Sequence, residues 1–314
     1  MLFKLKWGEK MNCVKDGIFG LVVGDALGLP YVWYHKEELE KDPITGMGSF
    51  GFHQMPKGTW SDDSSLTLAL MASIVKNRVV NCEAIMKEFS RWYFLGEYTQ
   101  YGQSFDYGKT TMNSIINYAK GIPSLKCGGT GERDNGNGSL MRILPLAFLP
   151  DHLYSLELVE KVSALTHAHP RSRIACSIYT EIARSIINNG DSSFQDHIDI
   201  ASETVNDYYR GNDQLDYYKR VMNNDYGDGI KSSGYVVDTL ECACYSICET
   251  ESLKEALLFA VNLGEDSDTV GAVCGGLAGL YYGRENIPKE WIRDIPKFSY
   301  VERLCGEFEE FIAV

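Results

Sequence analysis

Apolar residues recur along this chain with a helical period. Leu153, Leu156, Val159, Val162 and Leu165 fall every three residues, as on one side of a helix. Ala256, Leu257, Phe259, Ala260 and Leu263 repeat the pattern. Few segments alternate with period two, so strands should be rare. Pro30, Pro56, Pro123, Pro170 and Pro288 sit between apolar segments and punctuate them. The pattern predicts an all-α protein of about a dozen helices joined by loops.

Two segments add a stripe of glycines. Gly20, Gly24 and Gly28 are four apart, and so are Gly271, Gly275, Gly279 and Gly283. A glycine in a helix interior costs about 1 kcal/mol relative to alanine. Repeated at i, i+4 it leaves a smooth face against which another backbone packs closely. Both segments therefore read as central, buried helices. No linker, internal repeat or low-complexity run interrupts the chain. A single domain over 11–314 is expected, with 1–10 as an N-terminal extension, because Met11 is a second plausible start. The Asn-, Asp- and Tyr-rich stretch 206–234 reads as a long loop or surface insertion.

Composition narrows the classes. The chain has 314 residues, 44% hydrophobic and 23% charged, which supports a sizeable core and excludes wholesale disorder. The formal net charge of −13 repels phosphates, so nucleic acid and anionic membranes are excluded as general partners. No apolar stretch approaches the roughly 18 residues of a membrane helix, and MLFKLKWGEK lacks a signal-peptide core. A cytoplasmic monomer is expected. The nine cysteines are scattered, an odd number suited to reduced, buried thiols. Cys242, Cys244 and Cys248 cluster, but without a C-x-x-C pair or a nearby His they read as core packing.

Candidate chemistry lies in four motifs. Gly58-Thr-Trp-Ser-Asp-Asp-Ser-Ser65 precedes an apolar run, so Ser61, Asp62 and Asp63 crowd a helix start. Helix capping alone would explain such residues. Gly264-Glu-Asp-Ser-Asp-Thr269 repeats the arrangement with Asp266, Asp268 and Thr269, ahead of the second glycine stripe. Both motifs offer only oxygen ligands, which suit Mg2+ or Mn2+ better than zinc. Were the fold to bring them together, they could hold two metals about 3.5–4 Å apart. The third motif is Asp134-Asn-Gly-Asn-Gly-Ser-Leu-Met-Arg142, a glycine-rich turn running into a helix start. Such a turn exposes N–H groups, a phosphate cradle made of Asn135, Gly136, Asn137, Gly138, Ser139 and Met141. The fourth is Thr166-His-Ala-His-Pro170, where His167 and His169 are ligand-binding candidates.

With these residues in view, the chain resembles the ADP-ribosylglycohydrolase family. The resemblance rests on Gly24-Asp-Ala-Leu-Gly-Leu-Pro30, Gly58-Thr-Trp-Ser-Asp-Asp-Ser64, Asp106-Tyr-Gly108 with Thr110, Asn135-Gly-Asn-Gly138 with Arg142, Thr166-His-Ala-His-Pro170, and Asp266-Ser-Asp-Thr269, in that order. It implies a compact, single-domain orthogonal helical bundle. It also implies a hydrolase that cleaves the bond at C1 of the distal ribose of ADP-ribose, usually from a protein side chain. Two divalent metal ions, Mg2+ or Mn2+, would be held by Ser61, Asp62, Asp63, Asp266, Asp268 and Thr269. They would grip the ribose hydroxyls and order a water. The transition state resembles an oxocarbenium ion, which carboxylates stabilise. Asp106, together with Asp62 and Asp268, is the catalytic candidate that the resemblance implies. The alternative for Asp106 is a plain N-cap of a helix over Lys109 to Tyr118.

Two departures bear on the substrate. Ser61 and Ser64 stand where the family often has Thr, which keeps the hydroxyl. Val32 stands where many members have Glu, which favours an arginine-linked substrate unless Glu37 or Glu38 substitutes. Two alternatives remain within the same fold: a hydrolase of a small ADP-ribosyl or nucleotide adduct, and a non-catalytic crystallin-like or ADP-ribose-binding protein. A class I terpenoid synthase is disfavoured because Leu66 occupies the last position of its D-D-x-x-D pattern.

Overall fold

A computed structural model of the chain describes residues 7–227 and 229–313. Residues 1–6, most of the expected extension, lie outside the described residues. Fourteen α-helices follow one another: α1 Trp7–Gly28, α2 Lys36–Leu39, α3 Asp62–Asn77, α4 Cys82–Leu95, α5 Lys109–Ala119, α6 Leu156–Ser163, α7 Pro170–Asn188, α8 Phe194–Tyr208, α9 Lys219–Met222, α10 Val236–Cys248, α11 Leu253–Val261, α12 Ser267–Tyr282, α13 Lys289–Asp294 and α14 Phe298–Ile312. Among the described residues, extended pairing is limited to isolated bridges. The protein is all-α, as the periodicity requires.

The glycine stripes meet. α1 and α12 pack along each other at backbone contact. A Cβ added to Gly20 would lie 2.1 Å from Gly275 O, one on Gly24 1.9 Å from Gly271 O, and one on Gly28 2.2 Å from Ser267 O. No side chain fits such a gap, so glycine is demanded by contact and not by turn geometry. Gly283 departs from the expected stripe. It ends α12 with φ +83°, where it caps the helix. Around this central pair the other long helices lay their apolar faces. Val159 and Val162 of α6, Leu257 and Ala260 of α11 and Phe308 of α14 are buried. Leu153 falls outside α6, because the Ser155 side chain accepts the Leu158 N–H at 3.1 Å and starts the helix there. Cys242 and Cys244 are free, buried thiols that pack in the core.

The stretch 206–234 lies mostly at the surface, as a surface insertion would, but it is not one long loop. It contains the end of α8, a 3-10 turn over Asp213–Tyr218 and α9. Tyr218 is buried and its hydroxyl donates to Arg171 O at 2.7 Å, so aromatic residues that look like loop composition are core contacts. The end of the stretch turns inward, where Ser232 O accepts from Asp266 N at 3.0 Å and Gly234 O from Asn137 N at 3.1 Å.

The seam generates a paired prediction. Gly24→Ala forces a methyl into a backbone carbonyl and should cost about 2–3 kcal/mol or block folding. Gly306→Ala, in α14 with nothing near the added carbon, should stabilise by about 0.5–1 kcal/mol. Urea unfolding checks both. A Gly24→Ala protein with the wild-type midpoint would show that α1 and α12 do not touch as described.

Candidate active site

The first acidic motif starts α3. Ser61 is its N-cap, and its Oγ accepts the Asp63 N–H at 3.2 Å while donating to Asp63 Oδ2 at 2.9 Å. This turn is pinned from α1 by Asp25, which lies in the Gly24–Pro30 motif but is not among the candidate site residues. Asp25 accepts from Ser61 N at 2.8 Å, Ser64 N at 3.0 Å and Ser64 Oγ at 2.6 Å. The signal for Asp25 was present. It is a lone carboxylate amid Val22, Val23, Ala26 and Leu27, in a buried helix where an acid requires partners.

The second acidic motif starts α12. Gly28 lets this end sit directly on α1, with its would-be Cβ 2.6 Å from Asp268 Cα. Asp266 precedes the helix, and its Oδ2 accepts from Asn137 Nδ2 at 2.6 Å. Two motifs some 200 residues apart thus converge. Carboxylate oxygens of Asp25, Asp63 and Asp268 lie within 4.8 Å of one another, all three residues buried. Asp62, Asp266, Asp268 and Thr269 line a cleft of about 690 Å3 above them. Ser61 does not line this cleft. Its hydroxyl is spent on Asp63.

Burial and crowding raise every carboxyl here. Asp62, Asp63 and Asp268 are pushed well above the usual carboxylate range by burial first, then by neighbouring charges: Asp63 on Asp62, Asp25 on Asp63, Asp106 on Asp268. Burial takes Asp25 to about 7 and Asp266 to about 6, against opposing hydrogen bonds from Ser64 and Asn137 respectively. The positive ends of α3 and α12 offset part of the repulsion. Asp63 Oδ1 is buried without a partner, and among the described residues no Lys or Arg pairs with these acids. Buried anions left so need a cation. An oxygen-only set with an orphaned carboxylate oxygen fits a hard divalent ion.

The same cleft is lined by Val32, Trp33, Phe105, Asp106, Gly136, Asn137, Gly138, Met141 and His167, and Asp106 is close enough to Asp268 to act on its carboxyl. Asp106 is not a helix cap. Gly108 occupies that position for α5, and Asp106 has φ +63° in the left-handed region. Its Oδ1 lies 2.9 Å from His53 Nε2, and the His53 ring sits between Phe52 and Phe105 at 5.0 and 5.4 Å. No pattern in Gly51-Phe-His-Gln-Met55 marks His53, because only the fold brings it to Asp106.

Asp63, like Ser61, is absent from the cleft lining, and so are three expected substrate-binding residues. Asn135 donates to Glu132 O, Ser139 Oγ accepts from Ser163 Oγ, and His169 caps α7 by accepting the Arg171 N–H. Gly138 has a tighter reason to be glycine than ligand approach. A Cβ there would lie 2.8 Å from His167 Cε1 and 2.9 Å from Thr111 Oγ1. Glu37 and Glu38 are likewise absent from the lining, and Glu38 is spent on the His35 N–H at 2.9 Å.

The raised acids make stability depend on pH. A carboxyl whose folded pKa exceeds its unfolded value of about 3.9 binds its proton more tightly when folded. Its contribution is intact below pH ~4 and lost as pH rises through the folded pKa, a window of about 4–7 for Asp25 and Asp266. In chelated protein, Asp63→Asn should therefore raise Tm near neutral pH, by roughly 2–4 °C per kcal/mol gained. The gain should shrink toward pH ~4. Equal gains at both pH values, by calorimetry, would refute the crowding.

Comparison with known proteins agrees with this geometry. The family model described as ADP-ribosylglycohydrolase matches residues 9–313. ADP-ribosylarginine hydrolase Tri1 of Serratia proteamaculans (strain 568) is 31% identical over 303 residues, 95% of this chain and 79% of its own length. The ADP-ribosyl-[dinitrogen reductase] glycohydrolase of Rhodospirillum rubrum is 29% identical, covering 87% of this chain and 86% of its own. A solved structure described as an ADP-ribosylglycohydrolase-related protein complex matches with TM-score 0.81 and 28% identity, over 97% of this chain and 99% of that one. A family match over nearly the whole chain, on a fold that joins the two acidic helix starts in one cleft, means that this chain belongs to the ADP-ribosylglycohydrolases.

Proposed function

We propose that the protein is a metal-dependent hydrolase that releases ADP-ribose from an arginine-linked protein substrate by cleavage at C1 of the distal ribose. The observation that carries this reading is the cleft itself, whose lining brings crowded carboxylates together with the Asn-Gly turn and His167. The carboxylates suit cations and ribose hydroxyls; the turn suits the diphosphate. Two Mg2+ or Mn2+ ions would be held by Asp62, Asp63, Asp266, Asp268 and Thr269, with Asp25 and Ser61 shaping the α3 start. When bound they would supply charge to anchor the ribose hydroxyls and lower the pKa of a water.

The remaining steps belong to side chains. Asp106 lines the cleft with its Oδ1 2.9 Å from His53 Nε2, and in this reading it takes a proton from water or stabilises developing positive charge. Asp62 and Asp268 add negative potential beside it. Val32 puts an apolar, buried wall where a carboxylate would otherwise face the leaving group. With Glu37 and Glu38 turned elsewhere, this supports arginine over serine linkage, as do the names of relatives that act on ADP-ribosylarginine.

The test is release of ADP-ribose from arginine-linked and serine-linked proteins, with Mg2+ or Mn2+ and after chelation. Faster release from arginine, lost on chelation, is expected; full activity in chelator would overturn the metal role. Asp62→Ala and Asp268→Ala should abolish turnover in folded protein. Asp106→Asn is the finer probe, since Asn tolerates the left-handed backbone but takes up no proton. Turnover should fall by roughly 100-fold or more with ADP-ribose binding kept.

A further inference from the structure

Arg142 is fully buried, and among the described residues it has no carboxylate partner. Its guanidinium lies 4.5 Å from the Phe89 ring centroid. Nη2 donates to Thr166 Oγ1 at 2.8 Å and more weakly to Val162 O at 3.4 Å, while Nε and Nη1 are buried without partners. An isolated buried cation is destabilising, so its position calls for a reason beyond packing.

Thr166 Oγ1 also lies 2.9 Å from His167 Nδ1. Arginine is only ever a donor, so it occupies a lone pair of Oγ1. Of the two ways to make this contact, donation from the hydroxyl to Nδ1 partners the hydroxyl proton, whereas donation from Nδ1–H to the second lone pair would leave that proton without a partner among the described residues. Hydroxyl donation leaves Nδ1 without hydrogen and puts the ring proton of neutral His167 on Nε2. That nitrogen faces the Asn-Gly turn, 3.4 Å from the Cβ position of both Gly136 and Gly138, in the cleft wall. We propose that Arg142, acting through Thr166, holds His167 in its Nε2–H form, so that His167 presents a fixed hydrogen-bond donor to an anionic oxygen of the ligand. The ligand half rests on the reading that ADP-ribose fills this cleft. Arg142 and Thr166 are positioning residues that do not touch the ligand. Burial, then the charge of Arg142, hold His167 down to about 3, so it stays a neutral donor at working pH and no proton shuttle.

The tautomer is read directly by long-range 1H–15N correlation on full-length protein labelled at histidine nitrogen, with His167 assigned by its loss in His167→Gln. Ligand-free protein should show His167 protonated at Nε2. Thr166→Val, which keeps shape but removes the hydroxyl, should move the ring toward the Nδ1–H form, and Thr166→Ser should restore it. A wild-type ring protonated at Nδ1, or an unchanged ring in Thr166→Val, would overturn the relay. In calorimetry with ADP-ribose as the probe, Thr166→Val should weaken binding by roughly 10-fold or more, with Thr166→Ser near wild type. In a His167→Gln background Thr166→Val should cost nothing further; an additive loss would mean that Thr166 acts by another route. If wild-type protein fails to bind ADP-ribose, the functional reading falls, while the resonance measurement still decides the relay.

Discussion

Backbone contact between α1 and α12 is the constraint from which the site follows. Three glycines on one helix and three on the other let the backbones touch, with carbonyl oxygens 1.9–2.4 Å from where a Cβ would be, and the Ser267 hydroxyl donates across the seam to Gly28 O. Two helices held this closely have one register. That register sets Asp25 of α1 beside Asp268 of α12, and Gly28 lets the start of α12 rest on the end of α1. The third partner is then recruited locally, because Asp25 accepts three hydrogen bonds from the Ser61–Ser64 turn. One packing device thus places carboxylates from three distant segments in a single pocket.

That pocket is electrostatically unfavourable on its own. Five buried acids, with no basic partner among the described residues, are raised above their usual range by burial first, as groups at functional sites often are. The helix-packing core offsets the strain with a long list of fully buried apolar side chains. The Asn-Gly turn reaches the acids directly, because Asn137 donates to Asp266. Arg142 does not line the cleft; it is buried beside Phe89 and donates to Thr166, next to His167 of the lining.

Residues 206–234 are mostly exposed, as their Asn and Asp content suggests, yet Tyr218, Val221 and Tyr226 are buried and the segment returns to the cleft at Gly234. Tyrosine buries a large ring while its hydroxyl finds a partner, so a tyrosine-rich stretch can serve as core.

Local order was legible because it depends on neighbours in sequence. Helical periods, the Ser61 cap, the glycine stripes and the two oxygen-rich helix starts are all short-range patterns, and the structure places them as helices and helix starts. The motif order was specific enough to name the family. What the chain alone left open was set by long-range contact. Asp25 and His53 join the site only because α1 meets α3 and a loop meets Asp106. Ser139 and His169 lie off the cleft lining, with their side chains bonded to Ser163 and to the Arg171 N–H at the α7 start. Gly138 serves the His167 ring, and the proton on that ring follows from Arg142 and Thr166. Hydrogen-bond partners, tautomers and charge crowding are properties of three-dimensional neighbours, and sequence spacing carries no measure of them.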